Sequence, residues 1–123
     1  MKHEHITSKI IGGAIKVHSA LGPGLLESAY KACLTQVLTS EGMSLRCEWP
    51  LEVHFNGVRL DIAYKVDMLV EDLVIVELKS VERLIPVHEA QLLSYLKLSK
   101  RPVGLLINFN VMHLRDGICR KVF

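Results

Sequence analysis

The stretch VDMLVEDLVIVELKS, Val66 to Ser80, decides the fold. Within it Leu73 to Leu78 reads LVIVEL, the composition of a strand buried on both faces. Glu71-Asp72 turns the chain just before it. Side chains alternate along a strand, so Glu77 and Lys79 project from the same face. An acid and a base two apart on an otherwise apolar strand suggest a site, and Asp67 lies one hairpin away, close enough to join them. Two carboxylates and a lysine are the set needed to hold a hard divalent cation and manage a water nucleophile.

Outward from this stretch the period-two pattern continues. It predicts a strand over 44–55, a turn at Asn56-Gly57, a strand over 58–70 and a third over 73–79. Asn-Gly between two alternating runs is the strongest short hairpin signal. On the N-terminal side the period is helical. Ile6, Ile10, Ala14, Val17 and Leu21 predict a helix over 6–20, with Thr7 or Ser8 available to cap it. Gly12-Gly13 inside it points to close packing against a neighbour. Gly22-Pro23-Gly24 breaks that helix, and a second runs from 25 to about 40, ended by Gly42. On the C-terminal side Pro86 opens a third helix to about 98, Val103 to Phe109 form a fourth strand, and Asp116-Gly117 reads as a last hairpin. Strand, helix and strand with short connections imply a parallel pair. The expected architecture is an α/β sandwich, a central mixed sheet flanked by helices, spanning 1–123 as one domain.

Composition sets broad limits. Half of the 123 residues are hydrophobic and 23% are charged, which excludes disorder. The formal net charge of +2 neither demands nor forbids nucleic acid, since a local basic patch suffices. Cys33, Cys47 and Cys119 are widely spaced with no CxxC pair, so a zinc ribbon is excluded and three thiols in a reducing compartment are expected. No apolar run approaches the roughly 20 residues of a membrane span, and no signal-peptide layout opens the chain. A cytoplasmic protein without a membrane partner is the expectation.

Polar residues gather on four elements. Asp67 lies late in the second strand, with Glu77 and Lys79 at the end of the third. The third helix carries His88, Gln91 and Tyr95 at spacings of three and four, hence on one face, and the second carries Glu27 and Tyr30 one turn apart. In this order the motifs resemble a known family. Asp67 followed by Glu77-x-Lys79 looks like the signature of the PD-(D/E)XK nuclease superfamily. Gly24-x-x-Glu27-x-x-Tyr30 resembles the motif that names its GxxExxY branch, and Gln91-x-x-x-Tyr95, within PVHEAQLLSYL, is similar to the Gln-Tyr motif of RecB-like nucleases. One position departs: Val66 precedes Asp67 where the eponymous motif has proline.

The resemblance implies a restriction-endonuclease-like core and a Mg²⁺- or Mn²⁺-dependent phosphodiesterase acting on nucleic acid, DNA before RNA. It makes Asp67 and Glu77 metal ligands, with the Leu78 carbonyl as a further oxygen and Glu27 contributing from the helix. Lys79 would position or deprotonate the attacking water. Gln91, Tyr95, Tyr30 and Arg83 would handle the substrate, Arg83 as a phosphate contact. The residues leave other readings open. Glu77 and Lys79 could form an ordinary ion pair, Asp61 shares Asp67's strand and parity, Glu27 could be a solvated first-turn acid, and the tyrosines could be core aromatics. His88 reads as a helix-surface or supporting residue before a ligand, His3-Glu4-His5 as incidental, and Trp49 as packing. Lys31, Arg46, Arg59, Lys65, Lys97, Lys100 and Arg101 are scattered and read as solvated faces. Without a recognisable DNA-reading module, such an enzyme would be weakly sequence-specific, or would draw specificity from a partner or from a homodimer mate. A non-catalytic nucleic-acid-binding or regulatory module that kept the nuclease core is the alternative, and a structural domain that dimerises through an exposed face is a third.

Overall fold

The computed structural model describes residues 3–123. The elements run α1 (Glu4–Leu21), α2 (Glu27–Ser40), β1 (Leu45–Phe55), β2 (Val58–Val70), β3 (Val74–Lys79), α3 (Pro86–Ser99), β4 (Val103–Asn108) and β5 (Ile118–Val122). A 3₁₀ turn, Leu114–Gly117, precedes β5. The five strands form one sheet in chain order, antiparallel except for the parallel β3–β4 pair. This is the mixed-sheet α/β sandwich expected from the sequence, with helix and strand limits displaced by only one or two residues.

Turn chemistry sets the meander. Asn56 and Gly57 both take positive φ, 52° and 75°, as do Glu71 and Asp72 at 53° and 57°. Both turns therefore match the right-handed strand twist. The sheet's two faces carry separate cores. Ile10, Ala14, Leu34 and Leu38 from α1 and α2 pack on Met68, Val76, Leu78, Leu105 and Ile107. On the other face Leu92, Tyr95 and Leu96 of α3 pack on Leu51, Val66, Leu69, Ile75 and Leu106. All of β4 is buried, and so is β3 up to Leu78, as a strand covered on both faces requires. β2 pairs with β3 only over Met68–Val70, whereas its pairing with β1 reaches Val58. The rest of the β1–β2 hairpin is thus a two-stranded arm, with Phe55, Val58 and Ile62 exposed on it.

Three local expectations are corrected. The cap of α1 is neither Thr7 nor Ser8 but His3, because the helix starts earlier; Thr7 lies inside it and donates from Oγ1 to the Glu4 carbonyl at 3.1 Å. Asp116-Gly117 is not a tight hairpin but the end of the 3₁₀ turn, and the β4–β5 connection is longer. Only one of the paired glycines is needed for packing. A Cβ on Gly13 would come within 2.9 Å of Leu38, whereas one on Gly12 would meet nothing within 4 Å. Gly117 is tighter still, since its Cβ would lie 2.2 Å from the Asn108 carbonyl oxygen, a backbone atom that cannot yield.

These distances predict opposite outcomes. Gly12→Ala should raise stability by up to about 1 kcal/mol through helix propensity. Gly117→Ala should lower it by about 1–3 kcal/mol through overpacking. Urea denaturation of both variants, with unchanged m values, is the check.

Candidate active site

The site is built where a β-ladder stops. β2 and β3 pair at Val70–Val74, Leu69–Ile75 and Met68–Val76. The next rung in this register would set Asp67 opposite Glu77. Carboxylates take over the backbone's part there. The Asp67 N–H donates to Glu77 Oε2 at 2.7 Å, and the Leu78 N–H donates to Asp67 Oδ2 at 2.8 Å. Two N–H groups that leave the ladder are thus satisfied by the two acids. On the other side of β2, the Cys47–Met68 and Trp49–Val66 rungs place Glu48 level with Asp67. Glu48 has φ 51°, a left-handed conformation that costs a non-glycine residue about 1–2 kcal/mol. Three acids, Glu48, Asp67 and Glu77, therefore stand in a row across three adjacent strands.

Loops then bring the helices to this row. The Tyr30 hydroxyl donates to the Gly22 carbonyl at 2.6 Å and accepts from the Leu25 N–H at 3.1 Å, fixing the turn between α1 and α2. Ser80 Oγ, next to Lys79, donates to the Leu25 carbonyl at 2.6 Å and ties that turn to the end of β3. Glu27, first residue of α2, consequently lies in the field of Asp67, Lys79 and Lys31. The loop after β3 is braced by buried Asn108, which accepts from the Val81 N–H and donates to the Val81 carbonyl, both at 3.0 Å.

The candidate residues separate into those that meet and those that do not. Asp67, Glu77, Lys79 and Glu27 interact electrostatically, with Lys79 lowering the pKa of both Glu27 and Glu77. Tyr95 is buried within the field of Glu77 and Asp67, its ring centroid 5.9 Å from that of Tyr64. Gln91 lines a groove of about 490 Å³ with Tyr64, Tyr95, Val53 and Val87. Lys79 O accepts from the Phe109 N–H on the β4 side, so Leu78, one residue earlier, directs its C=O toward β2, where the ladder has ended. Arg83 is exposed on the loop between β3 and α3. Tyr30 is a correction. Its side chain is fully buried, stacked on Phe109 at 4.5 Å with both hydroxyl bonds spent on backbone, so it holds the turn and does not reach a substrate. Asp61 is exposed on the arm. His88 Nδ1 accepts from the Ile85 N–H at 3.2 Å and secures the start of α3. Trp49 packs beneath Arg101, whose guanidinium carbon is 5.0 Å from the ring centroid.

Lys31 and Glu48 are site residues that the sequence pattern did not single out. Lys31 Nζ donates to Glu48 Oε1 and stands 3.5 Å from Asp67 Oδ1. The signal available was the spacing of Lys31 from Glu27, four residues on the same helical face.

Burial, at 7% exposure, and then the charge of Asp67 push the Glu77 carboxyl up to about 8, against the Asp67 N–H and Lys79. Burial and then Asp67 likewise raise Glu27. The pair thus retains a proton where two separate acids would have lost theirs, unless another cation replaces it. The donor set suits such a cation. One oxygen of each acid is spent on a backbone N–H, leaving Glu77 Oε1, Asp67 Oδ1 and the Leu78 carbonyl. Among the described residues, no three His, Cys, Asp or Glu side chains form a metal cage of their own. Mg²⁺ needs none, since it takes one or two carboxylates and keeps several waters. An all-oxygen set fits Mg²⁺ or Mn²⁺ better than zinc.

Comparison with known proteins identifies the family. The family model of the PD-(D/E)XK nuclease superfamily matches residues 4–121. No curated protein and no solved structure matches the chain. Among the described residues, no helix is long and apolar enough to cross a membrane.

Two outcomes follow from the site's physical chemistry. Between pH 4.5 and 8 folded Glu77 keeps a proton that the unfolded chain releases, so metal-free stability falls as pH rises through that window. In EDTA, Tm should decline between about pH 5 and 8, and Glu77→Gln should flatten the decline; an equally steep slope in that variant would refute the assignment. Tyr30→Phe removes the partner of the Gly22 carbonyl and the Leu25 N–H and should cost about 1–3 kcal/mol. Denaturant titration measures that loss.

Proposed function

Because the chain belongs to the PD-(D/E)XK nuclease superfamily, we propose that it is a Mg²⁺- or Mn²⁺-dependent phosphodiesterase that cleaves nucleic acid, DNA in preference to RNA. The observation that carries this reading is the Asp67–Glu77 pair at the broken ladder, with Lys79 acting on it from the same strand end. The Gly24, Glu27 and Tyr30 pattern supports placing it in the GxxExxY branch.

A phosphodiester's negative charge must be neutralised before a hydroxide approaches. A bound divalent cation supplies that neutralisation and an acidified water. Asp67 Oδ1, Glu77 Oε1 and the Leu78 carbonyl are the groups that would hold it, and Glu27 adds a partly solvated carboxylate at the entrance. Lys79, a compact charge on a flexible stem, would orient the water or stabilise the crowded phosphate. Tyr64, Tyr95 and Gln91 give the adjoining groove two rings and an amide, chemistry suited to unstacked bases. Arg83 would meet a phosphate from the far loop.

The test is cleavage of single- and double-stranded DNA and RNA in Mg²⁺ or Mn²⁺. Lys79→Ala and Asp67→Asn should each lose about 100-fold or more in rate while remaining folded by circular dichroism. Cleavage that survives Lys79→Ala would defeat the assignment, and tight binding without cleavage would favour the regulatory module.

A further inference from the structure

Four acids and two lysines surround the site. Lys79 acts on Glu77 and Glu27; Lys31 also acts on Glu27, and it contacts Asp67 and Glu48 directly. Lys31 stands against Asp67 Oδ1, while Asp67 Oδ2 accepts from the Leu78 N–H. Exposure rises along this contact. The Asp67 side chain is 16% exposed, Lys31 26% and Glu48 50%. An ammonium that leaves Asp67 can thus move outward, onto a carboxylate already bonded to it, without crossing an apolar barrier. The register explains why Glu48 is in place to receive it, since Glu48 stands level with Asp67 across β1 and β2.

We propose that Lys31 is a positioning residue that serves as the resident counter-ion of Asp67 and yields Oδ1 to a divalent cation by withdrawing onto Glu48. This rests on the metal-dependent reading above. A cation held at Asp67 Oδ1 would repel the Lys31 ammonium, and Glu48 would keep that ammonium paired. Loading should therefore be a competition between two cations for one oxygen. Lys31 tunes metal affinity downward, and Glu48 offsets that effect by giving Lys31 a second partner.

Mn²⁺ binding to the folded full-length chain tests this, followed by calorimetry and by the Mn²⁺ paramagnetic signal, with no nucleic acid present. Lys31→Met should bind Mn²⁺ roughly twofold to fivefold more tightly, the size expected for a partly exposed ion pair. Glu48→Gln should bind more weakly than wild type, because Lys31 then has only Asp67. In the double variant the Glu48→Gln effect should vanish, a coupling that separate structural damage would not produce. Lys31→Gln serves as a second version if Met disturbs packing, and thermal melts confirm that each variant is folded. Unchanged or weakened affinity in Lys31→Met and Lys31→Gln, with wild type binding normally, would overturn this inference alone. Failure of wild type to bind Mn²⁺ at all would overturn the metal-dependent reading and the inference with it.

Discussion

The structure depends on one substitution of partners. At the level of Asp67 and Glu77 the sheet gives up a backbone rung and closes the gap with side-chain carboxylates. A buried N–H must find an acceptor, so the strands could not part there unless something supplied one. The acids supply it, and in doing so they are held side by side in a place where two negative charges oppose each other. The same bonds that let β2 leave β3 therefore hold two acids close enough to oppose each other's ionisation. Structural and chemical roles cannot be separated at these two residues, which is why removing either affects both.

Everything else brings partners to that gap. Tyr30 and Ser80 convert the flexible Gly22–Leu26 connection into a fixed one, and this puts the first turn of α2 against the end of β3. Asn108 does the same for the loop after Lys79. None of these three need touch a substrate. They spend hydrogen bonds on backbone so that Glu27, Lys31 and Lys79 arrive at a common point.

The strands and helices were legible because their signals are local. Asn56-Gly57 declares its turn, LVIVEL declares a buried strand, and Pro86 declares a helix start. Asp67, Glu77 and Lys79 were legible too, since polar residues on an apolar strand need a reason. Glu48 was hidden because its alignment with Asp67 depends on register and on an unusual backbone angle, neither of which alternation encodes. Lys31 was hidden for a related reason: helical spacing selects a face, but only the docking of α2 beside β1 shows what that face meets. Tyr30 was misassigned because spacing cannot reveal whether a hydroxyl is already spent. Gly12 and Gly13 look alike in sequence and differ only in what stands opposite.

The partial pairing of β2 has a mechanical consequence. Past Asp67 the β1–β2 arm has no third strand, and a two-stranded ribbon has little stability of its own. Its base rests on α3 through Leu51, while its exposed tip does not share in the buried ladder of β3 and β4. The molecule thus joins a stiff frame to a compliant lever, and the fulcrum is the residue whose carboxylate and amide both belong to the acid pair. The arm and the acid pair are thus joined through one residue, Asp67.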